Sequence, residues 1–119
     1  MAGVEHRDFS APDETRTPEK TTVELVNVGG GQIGRYTFQS GWRWSECIKP
    51  VVGTDSCQVE HIGYCLSGAI RVTHTDGTEA DVVGGEVYRI APGHDAWVIG
   101  DEPMISVEFQ GAANYAKPG

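Results

Sequence analysis

At 119 residues the chain has the length of one domain, and its balance of 39% hydrophobic to 22% charged residues is that of a globular protein. The formal charge of −8, from 9 basic and 17 acidic residues, sets it against polyanions, with no cluster of Lys and Arg as a local exception. No apolar run of about 18 residues is present, so neither nucleic acid nor a membrane is an expected partner.

Residues 1–20 read as a polar N-terminal arm, interrupted by Pro12 and Pro18 and without sustained periodicity. The arm carries no apolar h-region of a secretory signal, which makes the cytoplasm the expected location. Residues 21–119 read as one all-β domain. TTVELVNV and QIGRYTF are two strands around the glycines 29–31, and GWRWSECI (41–48) is a further strand. Lys49 to Asp55 is expected to be a loop, since Pro50 and Gly53 break strand pairing. Cys57 to Leu66 is the longest β-like run. AIRVTHT and TEADVV flank Asp76-Gly77, the strongest hairpin signal in the chain. EVYRIA, AWVI and MISVEFQ complete the strands, and AANYAKPG is a tail. Short strands about ten residues apart with glycine-rich turns are the pattern of a sandwich or barrel.

Three cysteines, Cys47, Cys57 and Cys65, are an odd number with no C-x-x-C pair, so a disulfide framework is not expected. Each is open to reading as a small buried hydrophobe.

The stretch from Cys57 to Phe109 resembles the cupin superfamily. In HIGYCLSGAIRV, His61 stands seven positions before Gly68, where cupins carry an acidic metal ligand and a turn glycine. Gly85-EVYRI-Ala91-Pro92-Gly93-His94-Asp95-Ala96 follows the second cupin motif. Ala91 replaces its first proline there, and Ala96 replaces its metal-binding histidine. From about Val23 onward, GWRWSE, KPVVGTDSC, PGHDAWVIGDEP and the closing FQGA-x-YAK are similar to phrases of small single-domain bacterial cupins. The resemblance implies an all-β double-stranded β-helix, a jelly-roll barrel with an interior pocket, commonly assembled as a homodimer. It leaves the reaction open, because one fold hosts many chemistries.

The resemblance also implies a metal site. Strand alternation puts Cys57, Val59, His61, Gly63 and Cys65 on one face, and His61 then points into the barrel as a ligand or as a hydrogen-bonded core histidine. The paired histidines of the first motif are missing. Aligned without a gap they fall on Asp55 and Cys57. With 49–56 as an insertion they fall on Ser45 and Cys47, the alignment preferred here because GWRWSEC takes the place of the family's ligand-bearing strand. In the resembled proteins a histidine commonly stands at the position of Cys47. His94, on the turn after Pro92-Gly93, is the third candidate, reaching inward from the barrel mouth. The expected metal ligands are therefore Cys47, His61 and His94, around a divalent transition ion (Zn, Fe, Mn, Ni or Cu). Tyr36, Trp44, Tyr88 and Trp97 are candidate pocket walls.

Other chemistries lack their context. Ser67-Gly68 and Ser56-Cys57 have no strand-to-helix elbow for a serine nucleophile, and GGGQIG is a turn with no helix to bind phosphate. Glu46 and Glu60 lie on faces opposite the candidate ligands, against a carboxylate pair in the pocket. Two readings stand: a metal-dependent protein acting on a small organic molecule, and a metal-free binding or regulatory module without catalysis.

Overall fold

The computed structural model describes residues 3–112 and 115–117. Its strands are β1 (Glu14–Arg16), β2 (Thr21–Val28), β3 (Gly31–Phe38), β4 (His61–Ser67), β5 (Ala69–His74), β6 (Glu79–Val83), β7 (Val87–Ile90), β8 (His94–Val98) and β9 (Met104–Gln110). Two four-residue helices, α1 (Trp44–Cys47) and α2 (Lys49–Val52), are the only α-helices among the described residues. A six-stranded sheet in the order β1-β2-β3-β9-β4-β7 faces a three-stranded sheet in the order β6-β5-β8, and every pairing is antiparallel. The protein is an all-β jelly-roll barrel.

Local chemistry explains the turns. Gly29 and Gly30 both take positive φ between the paired residues Val28 and Gly31, the two-residue turn whose twist suits a hairpin. Between β4 and β5 the chain passes from one sheet to the other at Gly68. A Cβ there would stand 2.3 Å from the Pro103 carbonyl oxygen, and φ is +76, so only glycine fits.

Alternation sorts the faces. In β4, His61, Gly63 and Cys65 are buried while Ile62, Tyr64 and Leu66 are exposed. In β8, His94, Ala96 and Val98 point inward, and Trp97 lies outside the pocket with the Arg43 guanidinium 4.4 Å above its ring. Stacked aromatic rings fill part of the core: Phe38 stacks on Trp42 at 3.8 Å between centroids and Tyr36 on Tyr115 at 4.8 Å.

The structure corrects the reading of 41–52. Residues 44–47 wind into α1 instead of a strand, and 49–52 form α2 instead of a loop. Pro50 sits in the first turn of α2, where its missing N–H costs nothing, and Gly53 ends that helix in the left-handed region. Burial accordingly follows i, i+3, i+4 (Trp44, Cys47, Ile48) instead of every second residue. Within residues 1–20, β1 pairs with β2 of its own chain. The tail read from AANYAKPG lies partly outside the described residues, yet Tyr115 within it is 2% exposed and packs in the core.

Candidate metal centre

Three donors meet inside the barrel. Cys57 Sγ and one ring nitrogen each of His61 and His94 lie within 4.8 Å of one another, and all three residues are buried. Their convergence is a backbone matter first. Cys57 forms an isolated bridge to His94: its N–H donates to the His94 carbonyl at 2.8 Å, and the Gly93 N–H donates to the Cys57 carbonyl at 2.7 Å. This bridge joins the segment before β4 to the start of β8, in the three-stranded sheet, so it ties the two sheets together at the site. His61, the first residue of β4, then projects inward four positions after Cys57.

The histidines are oriented from behind. His94 Nδ1 lies 2.7 Å from the Ala91 carbonyl oxygen, which can only accept, so Nδ1 carries a proton and Nε2 is the atom turned to the other donors. His61 Nδ1 donates to Glu108 Oε1 at 2.6 Å, while Tyr88 donates its hydroxyl to Glu108 Oε2 at 2.6 Å. His61 Nε2 is left facing Cys57 Sγ at 3.6 Å. Gly63 makes room for this chain of groups, since a Cβ there would approach Tyr88 Oη to 2.7 Å and Glu108 Cγ to 2.9 Å.

The charges are coupled. Burial pushes the Cys57 thiol up, but hydrogen bonds and charge from His61 and His94 outweigh it and bring the pKa down to about 6. Burial likewise opposes protonation of His61, yet Glu108 and Cys57 raise it to about 9. Without a metal, thiolate and imidazolium therefore form an ion pair near neutral pH. Burial and then Glu108 hold the Tyr88 hydroxyl far above its ordinary range, so it remains a donor.

The donor set fits a transition metal. Around an ion bound at about 2.3 Å to sulfur and about 2.0 Å to nitrogen in a tetrahedron, neighbouring donors stand roughly 3.5 Å apart, close to the 3.6 Å between Cys57 Sγ and His61 Nε2. A thiolate is available at neutral pH. Each histidine has its second nitrogen fixed by an acceptor, the arrangement usual behind metal-bound imidazoles.

Of the three ligands expected from sequence, the structure brings His61 and His94 together and puts Cys57 where Cys47 was expected. Cys47 ends α1 and turns its sulfur toward Glu19 Oε2 at 3.6 Å. Ser45 gives its backbone N–H to Asp95, and Asp55 is exposed. Of the two alignments of the first motif, the ungapped one matches the observed position of Cys57. His94 is deeper than a mouth position, with 4% exposure. Of the four expected wall residues, Tyr36, Trp44 and Tyr88 line the pocket and Trp97 does not. Glu108 was missed. The signal was present in MISVEFQ, where alternation places Glu108 with Met104 and Ser106 on the inward face. The pocket thus does hold a carboxylate, delivered by β9 and not by Glu46 or Glu60.

No protein-family model matches the sequence, and no curated protein is significantly similar to it. Solved structures do match. A DUF1255 protein of unknown function from Acinetobacter superimposes with a TM-score of 0.59 at 12% identity, over 82% of this chain and 90% of that one. KdgF from Halomonas superimposes with a TM-score of 0.56 at 15% identity, over 82% of this chain and 87% of that one. Oxalate decarboxylase from Lactobacillus farciminis, solved as a formate complex, gives 0.58 at 13% identity, over 93% of this chain and 35% of that one. At these identities the likeness is one of architecture, and what it establishes is a chain folded as a cupin-like barrel.

Proposed function

We propose that the protein binds a divalent transition metal through Cys57 Sγ, His61 Nε2 and His94 Nε2, and that the pocket beside it receives a small organic molecule. The observation that carries this reading is the second hydrogen bond of each histidine: Glu108 and the Ala91 carbonyl hold the Nδ1 protons, leaving each Nε2 as the atom to meet an ion beside the cysteine sulfur. A thiolate with two imidazoles favours Zn, Fe, Cu or Ni over harder ions. Three protein ligands leave coordination positions open, as in catalytic rather than structural sites. Bound there, the ion supplies a Lewis acid next to the pocket. The chain's own part is to fix the imidazoles through Glu108 and Ala91, to hold the Glu108 carboxylate between His61 and Tyr88, and to exclude water with the stacked Tyr36 and Tyr115 rings.

The test is metal analysis of protein purified without chelators or a histidine tag. About one equivalent per chain is expected, lost in Cys57→Ala and His61→Ala and retained in His74→Ala. Absence of stoichiometric metal after reconstitution would sink the reading.

The second reading is the metal-free binding module. The direct Cys57–His61 contact favours it, because the two groups satisfy each other as an ion pair with no third party. We also propose that the chain works as a cytoplasmic homodimer. Ile62, Leu66, Val87 and Phe109 expose apolar surface on the outer face of β4, β7 and β9, where β7 is an edge strand, and a second copy of that face would cover it. Light scattering should give twice the chain mass, and Val87→Glu should halve it.

A further inference from the structure

Three buried polar atoms have no hydrogen-bond partner among the described residues: Trp44 Nε1, Tyr36 Oη and Ser106 Oγ. Their residues are 1%, 1% and 0% exposed. They come from α1, β3 and β9, far apart in sequence, yet all three side chains line the same cavity as His61 and His94. A buried polar group left unpaired costs about 1–3 kcal/mol, so three around one cavity are too expensive to be incidental.

The chemistry of the three defines what satisfies them. An indole N–H only donates, whereas the two hydroxyls donate or accept. Tyr36 neighbours Glu108 and Ser106 neighbours Tyr88, without bonding geometry in either case, so Trp44 is the most clearly unpaired. No Lys or Arg lines the cavity among the described residues. The Glu108 carboxylate is the acidic group on the cavity wall, and it offers an anion no donor. A cation offers no acceptor to Trp44, and both Glu108 oxygens already have donors. The remaining walls are aromatic and aliphatic, including Phe38, Trp42, Ile70 and Tyr115.

We propose that this cavity recognises an uncharged, oxygen-bearing organic molecule of small size, a carbonyl compound with an apolar body, whose oxygen accepts the hydrogen bond of Trp44 Nε1 and whose neighbouring polar group meets Ser106 and Tyr36. The space left for the centres of water-sized molecules is about 30 Å³, roughly two to three times what one water needs, so the ligand is compact and replaces a few waters. The inference deepens the reading of the pocket as a small-molecule site and does not depend on the metal.

The experiment uses hydroxyacetone as probe, a compact ketone with a neighbouring hydroxyl, and glycolate and ethanolammonium as its charged counterparts. The readout is the indole N–H resonances of full-length protein, metal-loaded and chelator-treated in parallel. Three tryptophans supply internal controls: Trp42 Nε1 already donates to Thr21 Oγ1 at 2.9 Å and Trp97 lies on the outer face. Hydroxyacetone should move the Trp44 resonance alone, saturably and in both preparations, and the charged probes should need at least tenfold higher concentration. Ser106→Ala should weaken the probe about 2- to 10-fold, the range of one neutral hydrogen bond, and should leave the free protein equally stable or more so, since it deletes an unpaired hydroxyl. Trp44→Phe should lose binding while keeping the Trp42 and Trp97 resonances in place. Tighter binding of the carboxylate, or ketone binding that leaves the Trp44 resonance still, overturns the proposal. Metal bound stoichiometrically with no shift from hydroxyacetone overturns this inference alone, whereas a Trp44 shift in protein that takes up no metal supports it and removes only the metal.

Discussion

His61 and Glu108 stand 47 positions apart in sequence and share a 2.6 Å hydrogen bond in the centre of the barrel, with side chains 4% and 3% exposed. Because Glu108 accepts from both His61 and Tyr88, it determines which nitrogen of His61 faces Cys57 and His94. Glu108→Gln retains the shape but presents an amide that can offer its own N–H to His61. Metal affinity should fall about 10- to 100-fold, the usual effect of removing a carboxylate behind a ligating histidine. Isothermal titration of the chelator-treated protein checks this, and an unchanged affinity would detach Glu108 from the metal site.

The ion pair of the metal-free protein has a definite pH signature. Cys57 is lowered from 9.0 to about 6, so its stabilising contribution is present above 9.0 and is lost as pH falls through 6. His61 is raised from 6.5 to about 9, so its contribution is present below 6.5 and is lost as pH rises through 9. Between these limits the slopes oppose and cancel, and chelator-treated wild type should show nearly flat stability. Cys57→Ser removes one slope and leaves the His61–Glu108 pair, so its stability should decline with rising pH. Urea denaturation at several pH values reads both curves, and thiolate absorbance of the wild type should grow in near pH 6.

Arg16 ties the C-terminal segment down. It donates from one guanidinium nitrogen to the Tyr115 carbonyl at 2.6 Å and to the Ala112 carbonyl at 3.2 Å. Tyr115 in turn packs its ring 5.3 Å from that of His61. Arg16→Ala should cost about 1.5–3 kcal/mol, as for hydrogen bonds to a charged group, and should loosen the cover over the site. Faster modification of Cys57 by a thiol reagent is the expected result, measured against Cys47→Ser/Cys65→Ser so that one thiol reports.

Gly63→Ala inserts a methyl group 2.6 Å from the Val107 carbonyl oxygen and 2.7 Å from Tyr88 Oη. Backbone cannot yield easily there, because β4 is hydrogen-bonded to β7 and β9 on either side. A loss of about 1–3 kcal/mol is expected from overpacking, together with a weakened Tyr88–Glu108 contact. Thermal unfolding and metal titration of the same variant measure the two effects.

The strands and hairpins were legible because their signals are local. Alternation in HIGYCLS and turn chemistry at Gly29-Gly30 and Asp76-Gly77 act over a few residues, and the faces they assign match the burial of His61, Gly63 and Cys65. The error at 41–52 has the same origin. WRWSEC alternates as well as a strand does, but tertiary packing chose the helical period that buries Trp44, Cys47 and Ile48 together. That choice withdrew Cys47 from the interior group.

By itself, then, the sequence determined that this chain makes short antiparallel strands, where most of them turn, and that His61 faces the inside. Only the tertiary structure decided which thiol joins it, that Glu108 stands behind it, and that Trp44, Tyr36 and Ser106 share one cavity. These pairings join positions dozens of residues apart, through the antiparallel register of β9 against β4 and the bridge from Cys57 to His94. Propensity and periodicity state which face a side chain takes; which strands lie side by side is settled by how two sheets close over one core.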